Sequence, residues 1–137
     1  MKRYILAHDL GTSGNKASLF TVDGKLVGSQ VFAYDVHYFN GTWAEQDADD
    51  WWNAVCMTSK NLIQSTEIDP EEIGAVSFSG QMMGCLCVDR QGRPLRKSII
   101  WADQRAQEQA AQIESHISQQ DFYHIVGHRN TASYGVR

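Results

Sequence analysis

The residues best equipped for chemistry lie near the start of the chain, in the run Asp9-Leu-Gly-Thr-Ser-Gly-Asn-Lys16. A carboxylate followed at once by a Gly-Thr-Ser-Gly turn places an acid beside backbone N–H groups that can converge on an anion. Gly11 allows close backbone approach, Thr12 and Ser13 add hydroxyl donors, and Lys16 adds an ammonium. In that arrangement Asp9 would hold Mg²⁺ through water while Gly11, Thr12, Ser13 and Lys16 cradle the terminal phosphates of ATP. Phosphoryl transfer rests mainly on such positioning and charge neutralisation. The same residues could equally form a hairpin turn that binds nothing, and spacing alone leaves both readings open. A Walker-type loop is excluded by the missing Gly-Lys-Ser/Thr ending. A dinucleotide fingerprint is disfavoured because a strand, not a helix, is expected after the turn.

Other reactive side chains point to less. Cys56, Cys85 and Cys87 are an odd set without the spacing of a disulfide framework or a zinc site, which favours a reducing compartment. Cys85 and Cys87 are expected on one face of a strand as buried free thiols. His124 and His128 are four residues apart, but Gly127 between them is expected to end the helix, so they should not share a helical face. Arg90, Arg93, Arg96 and Lys97 are interrupted by Gly92, Pro94 and Leu95 and read as a solvated turn. With a formal net charge of −4, no nucleic-acid partner is expected. No run approaches the roughly 18 apolar residues of a membrane span. Residues 4–7 are too short an apolar run for a signal peptide before His8 and Asp9. No membrane partner is expected, and the expected location is the cytoplasm.

The elements that must hold the Asp9 loop follow from periodicity. With 42% hydrophobic residues and two prolines among 137, the chain suits one globular domain with a real core. Residues 4–7 read as a buried strand running into Asp9. Residues 17–22 alternate as a second strand, Asp23-Gly24 is a two-residue hairpin turn, and residues 26–32 return as a third. After a loop containing Asn40-Gly41, Asp47 can cap a helix with an acidic first turn at Asp49 and Asp50. Trp51, Trp52, Val55, Leu62 and Ile63 keep helical spacing along it, so this helix should cover the sheet. Residues 73–78, nearly all apolar or small, read as a strand buried on both faces and reached by a crossover. Residues 85–88, the turn at Asp89-Arg-Gln-Gly92 and the return through Leu95 suggest a second hairpin leading to a strand over 98–101. Helices are expected over about 104–117 and after Ser118, where Asp121 completes a capping-box-like start. The fold class is α/β.

The Asp9 to Lys16 run resembles the first phosphate motif of the sugar kinase, Hsp70 and actin superfamily. Four further blocks resemble, in order, those of the FGGY carbohydrate kinases, the xylulose kinases above all. They are Trp43-Ala-Glu-Gln-Asp47 with Trp51-Trp52, Ser79-Gly-Gln-Met-Met-Gly84, Asp89-Arg-Gln-Gly-Arg-Pro-Leu95 and Ile100-Trp-Ala-Asp-Gln-Arg105. The resemblance implies a ribonuclease-H-like fold of the actin-like ATPase superfamily, a mixed sheet with flanking helices. Residues 1–137 would be the N-terminal part of the first, sugar-binding domain, with the nucleotide-binding second domain absent from the chain. It implies ATP and Mg²⁺ as cofactors and ATP-dependent phosphorylation of a sugar hydroxyl, most readily on a ketopentose such as xylulose. On the matching motif positions Asp9, Gly11, Thr12, Ser13 and Lys16 would face the phosphates, while Gln81, Met82 and Met83 would line the sugar pocket with Trp101 and Asp103. An aromatic ring offers a wall to a sugar's C–H face, and Gln and Asp can hydrogen-bond its hydroxyls. The plainer alternatives are core filling for Met82 and Met83, a structural plug for Trp101, and packing for Trp43, Trp51 and Trp52.

Two departures from the family pattern bear on function. Xylulose kinases usually read Gly-Gln-Met-His-Gly where this chain has Gly80-Gln-Met82-Met83-Gly84, and a thioether cannot donate to a hydroxyl. Another ketose or a polyol therefore stays open as the substrate. The resemblance also implies a general-base Asp beyond residue 137, so no catalytic residue is expected within the chain, which alone should have negligible kinase activity. Apolar surface left by a missing partner domain would favour self-association as a homodimer. The rival expectation is a non-enzymatic module, derived from a kinase, that senses a sugar or a nucleotide. An Hsp70-like or actin-like ATPase fits less well, because the blocks at 80–84 and 101–105 have no role there.

Overall fold

The computed structural model describes residues 2–133. In chain order its elements are β1 (Tyr4–Leu10), β2 (Gly14–Thr21), β3 (Leu26–Ala33), β4 (His37–Phe39), β5 (Trp43–Gln46), α1 (Ala48–Thr66), a 3₁₀ turn (Pro70–Glu72), β6 (Ile73–Gly80), β7 (Ser98–Ile99), α2 (Gln107–Glu114) and α3 (Gln119–Val126). They form two compact units, Met1–Asp35 with Asp47–Gln81, and Val36–Gln46 with Met82–Arg137.

The first unit is a four-stranded mixed sheet in the order β3-β2-β1-β6, with β6 parallel to β1 and the other pairs antiparallel. The expected hairpin forms, but its loop is the three residues Val22, Asp23 and Gly24 rather than a two-residue turn: the Gly24 N–H donates to Thr21 O at 2.9 Å and Gly24 takes the left-handed position at φ 88°. α1 starts where Asp47 accepts the Asp49 N–H at 3.1 Å and buries Ala54, Val55, Thr58 and Leu62. Leu6, Ala17, Leu19 and Leu62 make the core, flanked by Tyr4, Ile68 and Ile73. Fully burying each large aliphatic side chain contributes about 1.5–3 kcal/mol. The strand alternation places Leu6 and His8, and across from them Asn15, Ala17 and Leu19, in this buried layer. Asp9 and Lys16 accordingly take the other face. The expectation of a doubly buried strand over 73–78 is corrected: β6 pairs with β1 on one side and leaves Val76 and Phe78 exposed.

The second unit contains the sheet β4-β5-β7. Its first hairpin falls where the sequence suggested only a loop: Phe39 pairs with Trp43 across the three residues Asn40, Gly41 and Thr42, of which Asn40 (φ 48°) and Gly41 (φ 76°) are both left-handed. The second expected hairpin is reduced to a bridge between Val88 and Pro94, closed by the Gly92 N–H on Asp89 O at 3.0 Å. The basic residues there sit on a solvated turn, as expected, with Arg93 paired to Asp89. The strand over 98–101 is shortened to Ser98–Ile99, and the following helix begins at Gln107 rather than 104. Asp103 takes the Arg105 N–H at 2.9 Å, holding that stretch as a loop. α3 follows its signals: Ser118 accepts the Asp121 N–H at 3.1 Å, Gly127 ends the helix at φ 82°, and His128 lies beyond it. All three cysteines are free, but Cys56 and Cys87 are exposed and Cys85 is half-buried, so the buried thiols expected at 85 and 87 are also corrected. Among the described residues no helix is long and apolar enough to cross a membrane.

Beneath the first sheet, a polar node ties β1 and β2 to α1. Asn15 Nδ2 donates to Thr58 Oγ1 at 2.8 Å and lies 3.1 Å from His8 Nδ1. With Nδ1 accepting, Nε2 carries the proton toward Ser59 Oγ at 3.3 Å, which makes His8 a neutral imidazole by assignment from its partners. Its ring stacks on Phe78 at 5.0 Å between centroids. Burial pushes the His8 pKa below the ordinary 6.5.

The unfolded chain therefore takes up a proton below pH 6.5 that the folded chain refuses. The stability this imidazole contributes is complete above that pH and declines as pH falls toward its lowered folded value, by at most about 1.4 kcal/mol per pH unit. Urea midpoints measured from pH 7.5 to 5.5 should fall more steeply for the native protein than for His8→Gln. A second expectation concerns Gly14, where a Cβ would stand 2.7 Å from Phe32 O and 3.1 Å from Ala33 Cα. Gly14→Ala should force β2 off β3 and cost about 1–3 kcal/mol in a denaturation curve.

Candidate functional site

The candidate residues fall into two groups, one in each unit. In the first, β1 ends by presenting Asp9 on an exposed surface, directly across the antiparallel pair from Lys16. Lys16 is thus a strand residue, the third of β2, and not part of the loop itself. The intervening turn is closed by the Gly11 N–H on Gly14 O at 3.0 Å. β6 runs alongside, and the Gln81 N–H donates to Leu10 O at 2.8 Å, bringing the first expected sugar residue next to this strand end.

Sequence reasoning missed Tyr34, which follows β3. Its hydroxyl donates to Gly11 O at 2.6 Å and its backbone N–H to Ser13 O at 3.3 Å. The side chain is buried, and burial, reinforced by the nearby Asp9 charge, pushes its phenol up to about 12. Nothing local in the sequence marks a tyrosine 23 residues from its acceptor.

The donor set suits Mg²⁺ and a polyphosphate. Among the described residues no three His, Cys, Asp or Glu side chains gather as a metal cage. A cation on Asp9 would then complete its shell with water and phosphate oxygens, as Mg²⁺ does in nucleotide sites. Thr12, Ser13 and Lys16 supply donors of the sort phosphate oxygens accept.

In the second unit Met82, Met83 and Trp101 are exposed, Met82 to 70% and Met83 in a left-handed backbone at φ 65°. Among the described residues neither methionine is buried. Asp103 is different, being 0% exposed. Its carboxylate accepts the Ala44 N–H at 2.7 Å, the Arg105 N–H at 2.9 Å and the Arg105 guanidinium at 2.8 Å. Burial by itself would raise its pKa, but these donors and the Arg105 charge hold it below the usual carboxylate range. Arg105 also donates to Glu45 at 2.8 Å, Arg96 pairs with the same carboxylate, and the Arg105 guanidinium lies 4.0 Å from the Trp43 ring centroid. Trp43 packs edge-on to Phe39, in line with the packing role expected of it. The cluster of Glu45, Arg96, Asp103 and Arg105 was not read from the sequence. Asp103 and Arg105 stand two residues apart in one motif block, but Glu45 and Arg96 lie in other stretches of the chain, so no local pattern marks the cluster.

Removing one member of so buried a pair leaves the other charge uncompensated. Arg105→Ala should therefore destabilise the protein by about 3–5 kcal/mol, measured by chemical denaturation. Asp103→Asn in the Arg105→Ala background should recover part of that loss.

Residues 4–135 match the family model described as the FGGY family of carbohydrate kinases, N-terminal domain. The chain is 38% identical over 125 residues to a glycerol kinase of Nostoc sp., covering 90% of this chain and 25% of that protein. It is 40% identical over 114 residues to a xylulose kinase of Staphylococcus epidermidis, covering 83% of this chain and 23% of the relative. Among solved structures, a xyloylose kinase from Brucella ovis superposes with a TM-score of 0.85 at 31% identity, over 94% of this chain and 26% of that one. The chain thus spans about a quarter of the length of the curated relatives it matches.

Proposed function

The chain belongs to the FGGY family of carbohydrate kinases, and from that premise we propose that the full-length protein transfers the γ-phosphoryl group of ATP to a hydroxyl of a small sugar or polyol, foremost a ketopentose such as xylulose. The observation that carries this reading is the exposed Asp9 carboxylate facing Lys16 across the β1–β2 pair, at the edge of the turn closed by Gly11 and Gly14.

Asp9 would hold Mg²⁺ through water, and the ion when bound supplies charge neutralisation at the phosphates. The Lys16 ammonium and the Thr12 and Ser13 hydroxyls bind and orient phosphate oxygens, and Gly11 lets the backbone come close to them. On the sugar side, the Gln81 amide offers both donor and acceptor to hydroxyls, and Trp101 offers its face to C–H groups. Met82 and Met83 add thioether surface that cannot donate a hydrogen bond, so this part of the pocket selects by shape rather than by hydroxyl recognition. Asp103, wholly buried, contributes through Arg105, whose guanidinium it orients. The proton of the attacking hydroxyl goes to an aspartate beyond residue 137, and the adenine is held there too. A cytoplasmic location suits this ATP-dependent chemistry. The names of the relatives divide between xylulose and glycerol kinases, which makes glycerol the first competing substrate to assay.

An ATP-coupled assay of the full-length protein over ketoses, aldoses and polyols should show turnover concentrated on one substrate. Asp9→Ala should lower kcat by about 10²-fold or more. Folded protein that turns over no member of the panel would instead support the sensing module.

A further inference from the structure

Resting on that kinase reading, we propose that Tyr34 is a positioning residue for the nucleotide, holding the 11–14 turn in the single peptide orientation that presents donors to the phosphates. The turn must solve a definite problem. A peptide plane carries an N–H at one edge and a C=O at the other, so rotating it exchanges an anion-attracting group for an anion-repelling one. At Gly11 no side chain restricts that rotation.

Tyr34 grips the turn at two points. Its hydroxyl pins Gly11 O at 2.6 Å, and its backbone N–H pins Ser13 O at 3.3 Å. The Gly11 N–H holds Gly14 O at 3.0 Å. The carbonyls of Gly11, Ser13 and Gly14 are therefore all turned onto protein donors. No peptide bond in the described chain is cis, so fixing Gly11 O toward Tyr34 directs the Thr12 N–H of the same plane away from it. The hydroxyl is suited to a permanent grip, since a phenol is an O–H donor throughout the physiological range. Tyr34 is buried but stands outside the Leu6, Ala17, Leu19 and Leu62 cluster, with its polar end on the loop.

Tyr34→Phe in the full-length protein keeps the ring and removes only the hydroxyl. The expected result is a KM for ATP raised about tenfold and calorimetric binding of Mg²⁺–ADP weakened to the same degree. The KM for the sugar should stay within about twofold and the circular dichroism spectrum should be native. An equal rise in both KM values would show general loosening and overturn the proposal. So would native KM for ATP and native Mg²⁺–ADP affinity in Tyr34→Phe while Asp9→Ala abolishes turnover, an outcome that leaves the kinase reading intact. If the native protein neither binds Mg²⁺–ADP nor phosphorylates any sugar, the kinase reading fails first and this inference with it.

Discussion

The register of β1 against β2 is the constraint on which the first unit depends. Leu6, Ala17 and Leu19 must reach Leu62 of α1, and strand side chains alternate with period two. That packing alone dictates that Asp9 and Lys16 emerge on the opposite face. A slip of one residue would drive the Asp9 carboxylate under the helix and expose the leucines, so hydrophobic burial enforces the position of the acid. The site residue is held by the core without belonging to it.

The same alternation has a cost, because it places His8 and Asn15 in the buried layer. Polar side chains of α1 meet them in part: Thr58 accepts from Asn15 Nδ2 and Ser59 meets the imidazole, while the buried Asn15 Oδ1 has no hydrogen-bond partner among the described residues. The histidine is kept neutral there, the less costly form for a desolvated ring. The second unit meets a comparable problem with charges. Asp103 is wholly buried beside Arg105, and the pair persists because Ala44, Glu45 and the Trp43 ring complete its contacts. In each unit, a satisfied buried polar group stands within two residues of a side chain offered to solvent: His8 before Asp9, and Asp103 after Trp101. Rigid support next to an exposed group is what a site requiring fixed geometry needs.

Several elements were legible because their determinants are close in sequence. The Asp23-Gly24 hairpin, the Asp47 cap of α1 and the Ser118 and Gly127 ends of α3 are each written in a few adjacent residues. Asn40-Gly41 carried an equally local signal for the β4–β5 hairpin and was read only as a loop, since the flanking residues lack clear alternation. The apolar run of β6 suggested cover on both faces, yet Val76 and Phe78 are exposed, because composition reports what a strand can tolerate and not what packs on it. The boundaries near 101–107 moved for a tertiary reason: Asp103 and Arg105 fold back on Glu45 in place of starting a helix.

The sequence by itself determined the family, the strand and helix types, and the acid-turn-lysine run that points to phosphate chemistry, since motif order and short-range periodicity are properties of the chain alone. Tertiary structure decided which side chains serve those motifs. Tyr34 meets Gly11 across 23 residues, and Asp103 meets Ala44 across 59. Hydrogen bonds and ion pairs over such separations exist only after hydrophobic burial has set the strand registers, and no local pattern in the sequence encodes them.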